Sequence, residues 1–193
     1  MNPTDATPPP APPAAPGGTM PDGVLLDQVS VGDELAPLSY DVTATTVVLG
    51  ALAARDWRPM HHDHDFAVNR NGTRDIFMNT PNQAAWFERY VTDWTGPRGR
   101  LGHMRFRMRG SVFPGDTMVL GATVTDVAVD EAGCGWVTLD VALSVEGNVK
   151  TTCAVRVAVP RDAEDNPWDR RAERWRPEPE PTPQEPAPQQ PRS

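Results

Sequence analysis

Three of the four histidines, His61, His62 and His64, fall within four residues, interleaved with Asp63 and Asp65, and a further carboxylate, Asp56, stands five residues before the first of them. Residues of these types allow three readings. His61 and His64 with a carboxylate are a ligand set for zinc or iron. Asp56 and His61 are an acid/base pair for a water molecule. A polar stretch of this composition is also ordinary solvated surface. Against the metal, the histidines lie in RDWRPMHHDHD, which Pro59 marks as a loop and not as one face of a helix, and only His103 remains as a distant partner. For the acid/base pair, a helix end followed by a turn that Pro59 keeps extended can aim both side chains at one point.

Those side chains depend on the elements around them. VGDELAPLSYDV reads as a short strand ending near Val42. TATTVVLGALAARD places apolar residues at 47, 48, 51 and 52 behind Thr43 as N-cap, a helix that must stop near Arg55, so Asp56 sits at a helix end. A second, longer helix is expected in TPNQAAWFERYVTDW, with Pro81 in its first turn, a buried stripe of Ala84, Ala85, Phe87, Val91 and Trp94, and Gly96 and Pro97 beyond its end. Trp86 and Trp94 are expected in the core. Period-two patterning then takes over in LGHMRFRMRGSV, PGDTMVLGATVTDVAV, GWVTLDVALSVEG and VKTTCAVRVAVP, with turn signals between the runs. The expected fold is α+β, an antiparallel sheet wrapped around a long central helix, with an edge or face that a dimer or a second copy of the fold would cover. In HMRFRMRG, a strand puts His103, Arg105, Arg107 and Arg109 on one face, either for anionic groups or as a solvated outer surface.

Composition narrows the partners. The net charge of −8 argues against nucleic acid, which needs a basic field. No apolar run approaches the ~20 residues of a membrane helix. The two cysteines, Cys134 and Cys153, have no zinc-site spacing and read as buried hydrophobes of a reducing cytoplasm. Of 22 prolines, eight lie in residues 1–21 and nine from Pro160 onward. The expected organisation is a disordered Pro/Ala-rich tail (1–21) without the pattern of a secretory signal, one domain (22–160), and a largely disordered Pro- and charge-rich tail (161–193). Within the second tail Trp168 and Trp175, seven apart, allow either a short docked helix or a polar linker.

ARDWRPMHHD resembles the hydratase motif of MaoC-like dehydratases and (R)-specific enoyl-CoA hydratases, D-x-N-P-x-H-x-D, with Asp56, Pro59, His61 and Asp63 matching and Arg58 where the family has a loop-bracing asparagine. VGDEL and FPGDTM also resemble recurring MaoC-like segments, and the likeness covers about residues 24–159. More narrowly, RDWRPMHHDHDFAV, DIFMNT and RYVTDWTGP are similar to the small catalytic subunit of a heteromeric actinobacterial hydratase of steroid side chains. The resemblance implies a hot-dog fold that hydrates a trans-2-enoyl-CoA without metal or cofactor. Asp56 and His61 would share one water, with Asp56 the base and His61 the proton shuttle to the α-carbon. It also implies a second MaoC-like hot-dog subunit, in a heterodimer or heterotetramer, or otherwise a homodimer. The enolate donor would be the backbone amide of Asn79, which stands at a family glycine and would have to tolerate its left-handed geometry. The alternatives are a non-catalytic acyl-CoA-binding hot-dog subunit, or a hot-dog thioesterase with Glu88 or Asp93 as its carboxylate.

Overall fold

A computed structural model of the chain describes residues 23–178. Strand β1 (Glu34–Asp41) is followed by helices α1 (Ala44–Ala53), α2 (His64–Asn69) and α3 (Thr80–Thr95), then by strands β2 (Arg100–Met108), β3 (Thr117–Val129), β4 (Gly135–Val145) and β5 (Asn148–Ala158). The strands make one sheet in the order β1-β3-β4-β5-β2, with every neighbouring pair antiparallel. Pro37 falls at a bulge between Leu35 and Leu38 of β1, an edge strand, where a missing N–H is tolerated.

Alternation decides which face is buried. On β4, Val137, Leu139, Val141 and Leu143 are buried while Asp140 between them is exposed. The apolar face receives α3 through Phe87, Tyr90 and Val91, and Phe87 meets Phe106 of β2 edge-on at 5.4 Å. Hydrogen bonds fasten α3 across the sheet: Thr151 of β5 donates to Gln83 at 2.7 Å, and the Tyr90 hydroxyl donates to the Ala36 carbonyl of β1 at 2.9 Å. One long helix on a curved antiparallel sheet is the expected α+β hot-dog arrangement.

The buried stripe of α3 differs from its pattern. Ala85 is exposed, Ala84, Trp86 and Trp94 are half-buried, and two amides, Asn82 and Gln83, are buried instead. Asn82 is accommodated because its Nδ2 donates to the Thr46 carbonyl of α1 at 3.1 Å, against Gly50, where an added Cβ would lie 2.0 Å from that nitrogen.

The chain after α1 is not extended as expected. Pro59 opens a 3-10 turn, Pro59–His61, because its fixed φ suits the first position of a turn. The HHDHD stretch then enters α2, capped by Asp63, whose Oδ1 accepts from the Phe66 amide at 3.0 Å.

Beyond β5, the described chain crosses the face of the sheet opposite α3 as a strap, residues 161–178. Trp175 packs on Trp136 with ring centroids 5.0 Å apart, and the Arg100 guanidinium lies 3.5 Å from the Trp175 ring centre and 5.3 Å from that of Trp168. Arg156 covers Trp136 at 4.3 Å. Arg170, buried, binds Asp165 and the Gly133 carbonyl, each at 2.8 Å. The Trp168–Trp175 stretch thus docks on the domain, as two 3-10 turns (Pro167–Asp169 and Ala172–Arg174) and not as one helix, since Pro167 and Pro177 flank it closely. The remaining tail residues, 1–22 and 179–193, lie outside the described residues.

Candidate active site

A Schellman-type stop sets Asp56 in place. The Arg55 amide donates to Leu52 at 3.0 Å and the Asp56 amide to Ala51 at 2.9 Å, with Arg55 at φ 53°, a left-handed conformation more usual for glycine. The chain therefore turns back on α1, and the Asp56 side chain faces inward with 8 % of its surface exposed. The 3-10 turn that follows folds His61 back onto it. His61 Nε2 lies 3.6 Å from Asp56 Oδ2, too far for a direct hydrogen bond and near enough for both atoms to touch one water.

Each group is held by others. His61 Nδ1 is 2.8 Å from the Phe77 carbonyl oxygen. A carbonyl only accepts, so Nδ1 carries the proton and, in the neutral ring, Nε2 presents its lone pair toward Asp56. The Phe77 ring meets the imidazole edge-on at 4.8 Å. Asp56 Oδ1 accepts from Arg58 Nε at 2.9 Å and from the Arg58 amide at 3.3 Å, and Oδ2 accepts from Asn79 Nδ2 at 3.0 Å. The Asn79 hydrogen bond is the largest influence on the carboxyl; partial burial works against it, and the Arg58 bonds and His61 reinforce it, leaving Asp56 lowered from 3.8 to about 2.

The pair faces a recess of about 140 Å³ lined by Asp56, Arg58, Met60, His61, Phe77 and Asn79 together with Met78, Thr80 and Met108. It lies at the start of α3, whose first amides have no intrahelical partner and carry the positive end of the helix dipole. The arrangement is an anchored carboxylate, an oriented imidazole and an electropositive helix end around one apolar-sided opening. It can polarise a water and stabilise an anion in the same space.

The expected residues stand as follows. Asp56, His61 and Asn79 are brought together. Asn79 is not left-handed: at φ −75° and ψ 165° it is the extended N-cap of α3, its Oδ1 accepting from the Asn82 amide at 3.1 Å. His64 turns toward Asp65 and Asp75, His103 meets Glu178 on the strap at 3.3 Å, and among the described residues no group of three His, Cys, Asp or Glu side chains is placed to hold a metal. Glu88 is exposed and Asp93 pairs with Arg89 at 3.3 Å, so neither thioesterase candidate enters the recess. Of the HMRFRMRG arginines, Arg105 and Arg107 are exposed on the sheet face opposite α3, and Arg109 lies past the end of β2. Sequence reasoning missed the grip of Arg58 and of the Asn79 side chain on Asp56; the departure from the motif at Arg58 was the available signal.

No family model matches the chain. It is 37% identical over 97 residues, 50% of its own length and 74% of the relative's, to the 3-oxo-4,17-pregnadiene-20-carboxyl-CoA hydratase beta subunit of Mycobacterium tuberculosis. The crystal structure of the ChsH1-ChsH2 complex from Mycobacterium tuberculosis matches with a TM-score of 0.61 at 32% identity, covering 67% of this chain and 98% of that chain. The MaoC-like dehydratase from Rhodospirillum rubrum matches with a TM-score of 0.64 at 20% identity, covering 72% and 99%. The (R)-hydratase from A. caviae involved in PHA biosynthesis matches with a TM-score of 0.61 at 22% identity, covering 68% and 98%. These last two speak for the fold alone. Three quarters of a curated hydratase subunit matched at this identity, on a shared hot-dog fold, makes the chain a member of the MaoC-like hot-dog hydratase family.

Proposed function

We propose that this chain is an enoyl-CoA hydratase, the catalytic subunit of a heteromer that adds water to a steroid side-chain enoyl-CoA. The observation that carries the reading is the convergence of Asp56 Oδ2 and His61 Nε2, 3.6 Å apart and each separately anchored, on a recess at the N-terminus of the long helix. In an α,β-unsaturated thioester the β-carbon is electrophilic only so far as the carbonyl oxygen takes up negative charge. Hydration therefore needs a held water and a donor for the developing enolate. Asp56 and His61 supply the first. The Asn79 backbone amide, at the positive end of α3, is the proposed donor for the second. Positioned acid/base groups of this kind contribute ~10² to 10⁴ in rate.

The substrate class follows the named hydratase subunit of Mycobacterium tuberculosis, and the heteromer follows the two-component complex. The recess supports a partner on its own terms. At about 140 Å³ it is smaller than the roughly 300 Å³ at which small-molecule sites begin, and it opens beside Met108, 42 % exposed on β2. β2 is an edge of the sheet, with β5 its neighbour on one side. A second hot-dog subunit placed there would extend the site and cover the edge. The catalytic unit on this reading is the single domain of residues 22–160 carrying the strap. No helix among the described residues is long and apolar enough to cross a membrane, and we place the reaction in the cytoplasm.

The test is to assay the chain, alone and co-purified with a MaoC-like partner, on crotonyl-CoA and on a steroid-derived enoyl-CoA. Loss of enoyl absorbance without release of free thiol is the expected result, abolished by Asp56→Asn and by His61→Ala. Release of free CoA would make the chain a thioesterase, and full activity in both variants would make this recess irrelevant.

A further inference from the structure

Asn79 occupies a position from which it can do one thing to Asp56 and not its opposite. Its side chain is buried, 2 % exposed, and its Oδ1 is taken by the Asn82 backbone amide at 3.1 Å. A backbone N–H only donates, so the atom facing it is the oxygen and the atom facing Asp56 Oδ2, at 3.0 Å, is the NH₂. The helix cap thereby settles which end of the amide the carboxylate meets. Arg58 offers only donors as well, from Nε and from its backbone amide, to the other carboxylate oxygen. A protonated Asp56 would have to give up one of these acceptor sites to its own hydrogen. The frame is rigid: Asn82 joins the start of α3 to the Thr46 carbonyl of α1 at 3.1 Å, and Asp56 is hydrogen-bonded back to the end of the same α1.

We infer that Asn79 is a positioning residue that fixes Asp56 as a hydrogen-bond acceptor, so that the proton leaving water passes to His61 and not to Asp56. This rests on the hydratase reading above and reverses the roles that the family resemblance implies. The step balances as follows. The water oxygen bonds to the β-carbon and the π pair of the double bond moves onto the thioester oxygen. One water proton goes to His61 Nε2, whose lone pair is free because Nδ1 is committed to the Phe77 carbonyl. The enolate then collapses and the α-carbon takes that proton back from the imidazolium, on the same face. Asp56 stays anionic throughout, orienting the water through its second hydrogen and stabilising the imidazolium 3.6 Å away. The lowered carboxyl of Asp56, at about 2, agrees with this assignment, since such a group is a poor acceptor near neutrality.

Two variants keep the helix cap and remove the donor: Asn79→Asp, which also sets an anion beside Asp56, and Asn79→Ser, which does not. In the full chain with its partner subunit, acting on crotonyl-CoA, each should lower kcat about tenfold or more with little change in KM, the usual effect of losing a group that orients a reacting one. By NMR of carboxyl-labelled protein, Asp56 should titrate at higher pH in both variants, further in Asn79→Asp. In the wild type, kcat/KM should rise with pH through the range of about 6 to 7 in which imidazoles ordinarily titrate, as a base requires. Asn79→Ser should keep that limb. Wild-type kcat with an unmoved Asp56 titration in both variants would overturn the inference, as would a wild-type kcat/KM that falls across that range. If Asn79→Asp does not fold, Asn79→Ser carries the test alone. Inactive Asp56→Asn and His61→Ala beside normal Asn79 variants would remove this inference only; active Asp56→Asn and His61→Ala would remove the hydratase reading itself.

Discussion

The recess at the start of α3 and the strap on the opposite face of the sheet both hold acidic side chains well below the usual carboxylate range, yet only one of them looks out on a space. In the strap region, burial pushes Asp130 up and donors from the Trp136 indole, at 2.9 Å, and the Cys134 amide, at 2.8 Å, more than reverse it. Burial likewise opposes the lowering of Asp165, which Arg170 and the Arg161 amide bring about. These oxygens point at groups that are themselves finished. Asp56 has comparable donors, but its Oδ2 also faces an imidazole nitrogen too far away to bond, beside an open recess. A depressed carboxyl therefore marks a well-bonded anion in either place, and the unmet partner across a gap marks the candidate for chemistry.

The largest expected effect separates the two regions by activity. Asp56→Asn and His61→Ala should each lower kcat by about 10² or more while moving Tm by only a few degrees, read by enoyl absorbance and a thermal melt. Arg170→Ala should do the reverse. It leaves Asp165 and the Gly133 carbonyl without their buried donor, a loss of about 3 kcal/mol in denaturant unfolding, with kcat of the folded protein unchanged. Trp175→Ala removes the ring between Trp136 and Arg100 and should cost about 2 kcal/mol, with faster proteolysis within 161–178.

The smallest effect is in pH dependence, since the recess is open to solvent and Arg58 is 71 % exposed. The folded carboxyl of Asp56, at about 2, lies below its unfolded value of 3.8. Its contribution to stability is thus fully present above about pH 4 and is lost as the pH falls toward 2. Acid unfolding of wild type minus that of Asp56→Asn should show the loss in that window. A difference that is flat there, or that grows as the pH falls, would contradict the hydrogen bonds from Asn79 and Arg58.

Much of the scaffold was legible because it follows from periodicity. Thr43 as cap, Pro81 in the first turn of α3 and the alternating runs from Leu101 to Val159 each act locally, and all are seen. Asp56 and His61 were legible as a motif. The rest depends on contacts between residues far apart in the chain. Asn79 reads as a cap, but nothing local says that its amide meets a carboxylate 23 positions earlier. Asn82 and Gln83 break an apolar stripe because their partners, Thr46 and Thr151, belong to other elements. Pro59 was read as an extender because a proline favours both an extended chain and the first position of a turn; only the packing of His61 under Phe77 selects the turn. The strap depends on Arg100 and Trp136, which lie well upstream of the tryptophans that stack on them.

Whether Asp56 and His61 act on one water is decided by a double-mutant cycle in kcat for crotonyl-CoA hydration: wild type, Asp56→Asn, His61→Ala and the double variant. Two groups serving a single molecule lose their joint effect once, so the double variant should be no slower than the slower single one. Losses that multiply across the cycle would mean that the carboxylate and the imidazole work separately.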